Sequence, residues 1–281
     1  MPIDRKELLA KLHQLPTLPL VLQELIASLN QPDLNITSLV LKIEHDQGLS
    51  AKVLRMANSP FYGLPREVGS ISDAVTILGF DTIRSLVLST GMMKDFPVSP
   101  GSLFDRKVYW QRCYRVAVIS KALSKNLPDG QPLAFIAGQF CEIGQIILDI
   151  CIPQIFSELI MKQAKSDLSL IEIERTELGF DHYEIGAEII RLWNFPLEIE
   201  QLVRLWSTPE LLATSDSLAC LVHTADLIES GYIGEELMSK ITATWCSKLQ
   251  LTWQQIESSL PDFEKLVVDD LIHDHRVDSK L

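Results

Sequence analysis

Apolar residues recur at helical spacing along the whole of this chain, and strand-like alternation bounded by turns is almost missing. In residues 199–206 and again in 218–225, apolar side chains stand at positions i, i+3, i+4 and i+7, which form one face of a helix. An apolar content of 47% with only 13 Gly and 14 Pro is typical of a globular protein with a substantial core. The sequence therefore predicts an all-α, multi-helical fold.

The segment 95–102, DFPVSPGS, gathers prolines, a glycine and serines, and this composition predicts a domain boundary. We expect an N-terminal helical subdomain over residues 1–98, packed on a helical core subdomain over residues 99–268, and a polar tail over 269–281. Residues 133–150 are apolar on all sides and are predicted to form one central, buried helix.

The charge of the chain is −12 and is unevenly distributed. Residues 1–100 carry 9 basic and 10 acidic side chains, whereas residues 101–281 carry 16 and 27. An acidic surface repels phosphate backbones and anionic lipid headgroups, so neither nucleic acid nor a membrane is an expected partner. Salt-dependent binding of duplex DNA by the nearly neutral residues 1–98 is a weaker alternative that the charge leaves open.

The sequence predicts a soluble cytoplasmic protein. No stretch reaches the roughly 18 uninterrupted apolar residues of a membrane span. The N-terminal residues mix acidic and basic side chains, unlike a secretory signal. The five cysteines include no CxxC pair, which is typical of reduced, buried thiols.

Seven runs of the sequence resemble, in order and spacing, the HDOD (HD-related output domain) family, and together they cover nearly the whole chain. The segment ANSPFYG is the most specific part of this resemblance. The runs are LPTLP (15–19), HDQGLSAKVLRMANSPFYGLP (45–65), SISDAVTILGFDTIRSLVLS (70–89), YWQRCYRVAVISKAL (109–123), AFIAGQFCEIGQIIL (134–148), LGFDHYEIGAEIIRLWNFP (178–196) and LVHTADLIE (221–229).

The resemblance implies an HD-like helical core related to metal-dependent phosphohydrolases, in which a His, a His-Asp pair and a distant Asp hold divalent metals. In this chain the resemblance places those positions at Arg112, Cys141, Glu142 and Asp226, and only Asp226 keeps the family residue. A guanidinium cannot ligate a cation, Cys141 could do so only as a thiolate, and Glu142 is one methylene longer than Asp. We therefore expect a degenerate site without metal, cofactor or catalytic residues.

A further histidine pair of the family falls at Trp206 and Ser207, so it is also missing. His182 stands where the family has a His. It is either a pocket residue together with Trp206 or a partly exposed histidine in the first turn of a helix.

The helical register places Arg112 on the same side as Val116 and Ile119. An inward-pointing Arg112 is expected to pair with Glu142, with Asp226 or with both, because a guanidinium can bond two carboxylates at once. The alternative is that Arg112 extends to the surface while Glu142 faces water. The sequence leaves both open.

Other histidines are expected to have no site role. His45 and Asp46 form a His-Asp dipeptide, but Asp46 precedes a helix and is predicted to cap it. His223 lies away from the apolar stripe of its helix and is expected to be exposed. Residues 273–275, HDH, lie in the polar tail and carry no predicted function.

The ANSPFYG segment is predicted to end a helix and turn the chain, with Asn and Ser bonding local backbone groups and an aromatic ring filling the junction between the two halves. The other hypothesis is a surface for a protein partner. The residues concerned are Asn58, Ser59, Phe61, Tyr62 and Gly63.

The resemblance and the missing ligands favour a non-catalytic signal-transduction module that acts through protein partners of a signalling pathway. The alternative is a metal-dependent phosphohydrolase, acting as a phosphodiesterase or nucleotide phosphatase, with an atypical site. No receiver or cyclase domain is visible in the sequence, so the signal is expected to arrive by binding or through expression.

Overall fold

The computed structural model describes residues 4–15, 17–30, 35–96, 99–127, 131–206, 217–243, 249 and 251–262. Over these residues the chain forms α-helices and no strand, which confirms the predicted all-α fold. The helices are α1 (Arg5–Leu12), α2 (Leu20–Asn30), α3 (Ile36–His45), α4 (Gln47–Ala57), α5 (Ile71–Leu78), α6 (Phe80–Asp95), α7 (Arg106–Ser124), α8 (Ala134–Phe140), α9 (Ile143–Cys151), α10 (Pro153–Gln163), α11 (Leu170–Leu178), α12 (His182–Leu192), α13 (Leu197–Leu205), α14 (Ser217–Glu229), α15 (Gly234–Ala243) and α16 (Trp253–Ser259).

Contacts group the described residues into two compact units. The larger unit contains the described residues up to Thr17 and those from Phe96 to Glu257. The smaller unit contains those from Leu18 to Asp95, joined by the first residues after Glu257. The predicted boundaries after residues 98 and 268 both fall outside the described residues.

The smaller unit is built around α6, which packs against α2, α4 and α5. Its core side chains include Ile83, Leu86 and Val87, which are fully buried at helical spacing. At Gly91 the helices α2 and α6 approach closely, because an added Cβ would lie 2.6 Å from a methyl carbon of Leu22. These three apolar side chains lie on the contact face of α6.

The larger unit is centred on α7, which packs against α8 and α14, while α12 packs against α9 and α13. The helices α9 and α12 cross with their backbones in contact: a Cβ on Gly144 would lie only 1.7 Å from the carbonyl oxygen of His182. Only glycine allows this approach. The crossing brings the first turn of α12 beside the turn that precedes α9.

The prediction of one continuous helix over 133–150 was wrong, although its central, buried position was correct. The chain leaves helical geometry at Glu142, where φ is −107° and ψ is 18°. The stretch Ala134–Cys151 has the length and apolar character of a membrane span, but 83% of it is buried inside the protein. It forms the core of the larger unit.

Local signals in the sequence place several helix ends correctly. Asp46 caps α4, with its carboxylate accepting from the backbone N–H of Leu49 at 3.0 Å, so the predicted capping role is confirmed. Gly179 ends α11 in the left-handed conformation with φ 79°. Asp181 then begins α12 by accepting from the backbone N–H of Glu184.

Candidate functional site

Arg112 lies between two carboxylates in the larger unit. Its Nη1 donates to Oε2 of Glu142 at 2.7 Å, and its Nη2 donates to Oδ1 of Asp226. Glu142 comes from the turn between α8 and α9, and Asp226 comes from α14. Of the two alternatives that the sequence left open, the structure shows the inward-pointing Arg112, and it pairs with both acids. The alternative in which Arg112 extends to the surface and Glu142 faces water is wrong.

All three side chains are largely shielded from solvent. Arg112 is 28% exposed, Glu142 is 11% exposed and Asp226 is 19% exposed. Val116 and Ile119, which follow Arg112 on the same face of α7, are fully buried. The helical register therefore points the arginine inward, and its guanidinium reaches carboxylates on two other elements.

Charge and burial act together on these groups. Burial alone would lower the pKa of Arg112, but the carboxylates of Glu142 and Asp226 reverse this effect and raise the pKa above its usual value. Burial raises the pKa of Glu142, while the guanidinium opposes that rise. The guanidinium is thus a permanent cation, and one positive charge faces two acids.

A second arginine pair lies one helical turn further along the same two helices. Nε of Arg115 donates to Oε1 of Glu229 at 2.7 Å. Arg115 follows Arg112 by three residues on α7, and Glu229 follows Asp226 by three residues on α14. Two parallel arginine–carboxylate pairs therefore connect these helices, and the matched spacing in the sequence is the signal that predicts the second one.

The cysteine at the site is a buried thiol. Cys141 is 1% exposed, and its Sγ donates to the carbonyl oxygen of Gly138 at 3.3 Å. Burial raises the pKa of Cys141 well above its ordinary value, and the nearby Glu142 acts in the same direction. The thiol stays protonated at neutral pH and cannot serve as a thiolate ligand.

His182 lies in the first turn of α12. It is buried there, so the hypothesis of a partly exposed histidine was wrong. The side chain is 2% exposed because α12 crosses α9 at Gly144. Its Nδ1 lies 2.7 Å from Oε2 of Glu174, which also accepts from the His182 backbone N–H at 2.9 Å. Burial would lower the pKa of His182, but the charge and hydrogen bond of Glu174 raise it.

A row of aromatic rings connects His182 to Trp206. The hydroxyl of Tyr183 donates to Oε1 of Glu142 at 3.4 Å. The centre of the Tyr183 ring lies 4.1 Å from the centre of the His182 ring and 6.4 Å from the centre of the Trp206 ring. Trp206 in turn lies 5.7 Å from the ring of His223. His223 is half-buried rather than exposed, because Trp206 packs on it, and burial lowers its pKa.

Sequence reasoning did not single out Tyr183 or Glu174. Tyr183 directly follows His182 in the run LGFDHYEIG, so its place beside Glu142 depends on the helix crossing rather than on a motif. Glu174 is fully buried on α11, where the sequence shows only one acidic residue among several. Neither Tyr183 nor Glu174 lies in a sequence pattern that predicts its contact with Glu142 or His182.

The donor set does not fit a divalent metal. A metal of the HD type needs several neutral imidazoles and ionised carboxylates converging on one point. Here the two carboxylates are already bonded to a guanidinium, and the nearby thiol is protonated. Within the part of the chain that the structure describes, no group of three or more His, Cys, Asp or Glu could hold a metal ion. Ser207 and residues 273–275 lie outside the described residues.

The segment Asn58–Gly63 follows α4 in the smaller unit. Asn58 bonds the backbone of Val68, ten residues away, instead of the adjacent backbone groups expected from the sequence. Phe61 and Tyr62 form an edge-to-face ring pair at 4.9 Å and are half-buried. Gly63 has φ +56° and supplies the left-handed turn residue. The predicted turn is confirmed, and the partner surface remains a hypothesis.

Comparison with known proteins identifies one matching family and several solved structures of similar fold. The family model of the HDOD domain matches residues 15–209. The structure of a candidate phosphohydrolase from Shewanella amazonensis is 27% identical and has a TM-score of 0.75, with 95% of this chain and 96% of that chain covered.

Two further solved structures share the fold. An HDOD domain protein of unknown function from Geobacter sulfurreducens is 22% identical, with a TM-score of 0.71 and coverage of 93% of this chain and 91% of that chain. A candidate signal transduction protein from Marinobacter aquaeolei is 24% identical, with a TM-score of 0.70 and coverage of 92% and 58%.

One curated relative, an uncharacterised protein from Treponema pallidum, is 25% identical over 196 residues. The match covers 69% of this chain but only 38% of that protein.

Proposed function

The chain belongs to the HDOD domain family, and we propose that it is a non-catalytic signal-transduction module that acts through protein partners. An internal ion pair takes the place of the metal centre of the related hydrolases. The helical units provide the surfaces for the partner.

One observation supports this proposal most strongly: the guanidinium of Arg112 lies between Glu142 and Asp226. A divalent cation held there would have to displace a buried, permanently charged group from two carboxylates. The cost of breaking such a pair is of the order of several kcal/mol. The site therefore favours its own side chain over an external ion.

The competing function is phosphoester hydrolysis, since the related structure from Shewanella amazonensis is described as a candidate phosphohydrolase. Such an enzyme would need a metal to activate water and to bind the phosphate. Asp226 would then be essential, because it is the one position that keeps the family's ligand type.

Turnover measurements on the full chain distinguish these functions. Purified protein is incubated with Mn²⁺ or Fe²⁺ and either bis-p-nitrophenyl phosphate or nucleoside monophosphates. The Asp226→Ala variant is assayed under the same conditions. The matched control is Glu229→Ala, which removes the other arginine-paired carboxylate of α14. We expect the same background in all three proteins. Metal-dependent turnover that is lost in Asp226→Ala and kept in Glu229→Ala would overturn the proposal.

The same proposal places the protein in the cytoplasm with reduced thiols and assigns it a protein partner in place of nucleic acid or membrane. Its support is the charge of −12 and the burial of Cys113, Cys141 and Cys220. The similarity in fold to a candidate signal transduction protein agrees with this function.

A further inference from the structure

The helix α1 is a short amphipathic helix that covers part of the larger unit. It packs against α9. Its buried side chains are Leu8 and Leu12, which lie one helical turn apart and are 0% and 3% exposed. The charged residues of α1 are exposed or half-buried on its other sides. The two leucines are therefore the main attachment of α1 to the larger unit.

Two charged contacts mark where α1 lies. Nη2 of Arg5 is 3.1 Å from Oε2 of Glu184 in the first turn of α12, and this turn meets α9 at Gly144. At the other end of α9, burial raises the pKa of the Cys151 thiol to about 11, and the nearby ammonium of Lys11 opposes this rise. We call the surface between Glu184 and Cys151, which α1 covers, the α1 groove.

The helix beneath α1 is apolar on several sides. Ile146, Ile147 and Leu148 of α9 are all fully buried. Consecutive residues of a helix point about 100° apart, so these side chains need packing partners in three directions. The helix α1 provides one of the covers of α9. Its release without a replacement would expose apolar surface to water.

Several features allow α1 to detach without unfolding the rest of the larger unit. Its eight residues are fewer than the roughly 12–15 that an isolated helix needs to persist in water. Among the described residues, the backbone of the segment 4–15 makes hydrogen bonds only within that segment. The side chains of Arg5 and Glu184 are 45% and 33% exposed, so their ion pair contributes little. After α1 the chain enters the smaller unit at Leu18 and returns to the larger unit at Phe96.

We propose that the α1 groove docks an amphipathic helix of a partner protein, and that α1 covers the groove until the partner displaces it. The helix α1 itself defines the chemistry that fits: two leucines four residues apart, with a basic residue three positions before the first. The partner's leucines take the places of Leu8 and Leu12, and its basic residue pairs with Glu184. The inference rests on the proposed interaction function and adds a docking site and the helical motif of the partner.

In this arrangement α1 and the partner compete for one site. Because α1 is tethered to the protein, it acts at an effective concentration of the order of millimolar. An added helix binds only those molecules in which α1 has detached, so its apparent affinity is reduced by that fraction. Weakening the attachment of α1 should therefore raise the apparent affinity of a helix that fits the groove.

The test uses the full chain and a fluorescent synthetic peptide with the sequence of residues 4–15, DRKELLAKLHQL. Fluorescence anisotropy measures its binding to the parent, to Leu8→Ala/Leu12→Ala and to the control His13→Ala/Gln14→Ala. The control changes two exposed residues of the same segment. A second peptide, with alanine at both leucine positions, measures nonspecific binding.

We expect Leu8→Ala/Leu12→Ala to bind the peptide roughly tenfold or more tightly than the parent, because its own helix no longer fills the groove. The control variant should match the parent within about twofold, and the alanine peptide should not bind. Addition of Glu184→Arg to Leu8→Ala/Leu12→Ala should weaken binding several-fold. A peptide carrying Arg5→Glu should recover that loss, because the charges are again opposite.

Hydrogen exchange of the parent gives a second measurement that needs no variant. The backbone amide of Leu12 should exchange through local detachment of α1, roughly tenfold or more faster than the amide of Leu148 in α9.

Equal affinity of the peptide for the three proteins, binding to none of them, or exchange of Leu12 as slow as that of Leu148 would overturn the inference. Loss of the folded state in Leu8→Ala/Leu12→Ala, seen by circular dichroism, would also overturn it, because α1 could then not detach by itself. A dimer of the parent that the peptide dissociates would overturn it as well, since a second copy would be the occupant. None of these results changes the turnover assay, so failure of this docking site is distinguishable from failure of the proposed function.

Discussion

At the scale of single residues, one guanidinium bonds two acids that come from different elements of the larger unit. Arg112 bonds Glu142 in the turn before α9 and Asp226 on α14. Such an arrangement is stable only while all three groups are present, because a lone buried carboxylate pays its desolvation cost without a counter-ion.

Replacement of Arg112 by Leu is therefore expected to lower the free energy of unfolding by about 2–4 kcal/mol. This is somewhat less than the roughly 3–5 kcal/mol found for fully buried pairs, because the guanidinium is 28% exposed. Urea unfolding followed by circular dichroism measures the change. The control is Arg191→Leu on α12, whose side chain is 55% exposed and pairs with Glu188, with an expected loss below about 1 kcal/mol. An Arg112→Leu variant as stable as the parent would contradict the buried pair.

The His182–Glu174 pair predicts a dependence of stability on pH. The pKa of His182 is raised above 6.5 in the folded protein, so folding favours its protonated form. The stabilisation is complete below pH 6.5 and is lost as the pH rises through the folded-state pKa. The pKa of His223 is lowered, so this residue changes the free energy of unfolding with pH in the opposite direction. It does so equally in the parent and in His182→Gln, so the comparison of their slopes removes its contribution.

The measurement is the free energy of unfolding between pH 6.5 and about pH 7.5, where few thiols of ordinary pKa are ionised. We expect it to fall with rising pH in the parent and to fall less steeply in His182→Gln. Equal slopes in the two proteins would show that the pair does not hold an extra proton.

At the scale of elements, residues 99–105, which precede α7, are held by a fully buried acid. Asp149 on α9 accepts from Nε of Arg106 at 2.7 Å and from the hydroxyl of Ser102. Its carbonyl oxygen also accepts from the hydroxyl of Ser99 at 3.0 Å. This proline- and glycine-containing stretch is therefore fixed to the core helix.

Removal of this acid in Asp149→Ala should cost about 3–5 kcal/mol, because Arg106 would lose its buried partner. Limited proteolysis should then cut the segment 99–105 faster than in the parent. As a comparison, Asp105→Ala removes only the cap of α7, a bond of 3.0 Å to the Val108 N–H, and should cost about 1 kcal/mol. If both variants lose the same small amount of stability, Asp149 does not fix the segment.

At the scale of the whole molecule, the periodic spacing of apolar residues was enough to predict the all-α fold. Apolar residues recur along the chain with the 3.6-residue period of an α-helix. The register of α7 placed Arg112 on the side of Val116 and Ile119, but it left open whether the arginine faces inward or extends to the surface. Long-range contacts were not accessible in this way. The break at Glu142 and the burial of His182 both depend on helices that meet through Gly144, and nothing local marks that contact.

The assignment of α1 to the larger unit was likewise not predictable from the sequence. Asp4 and the residues after it predict a first helix, and α1 forms, but its packing against α9 in the larger unit depends on residues far along the chain. Caps and turns are local and are readable in the sequence, whereas the partner of a helix face is a property of the folded molecule.

The central claim is that an arginine replaces the metal of the hydrolase relatives. Crystals of the full chain grown with MnCl₂ and measured near the manganese absorption edge test it most directly. We predict no anomalous peak between Glu142 and Asp226, with Arg112 still bonded to both carboxylates. A fully occupied manganese ion ligated by those two acids, with Arg112 displaced and water positions open, would contradict it.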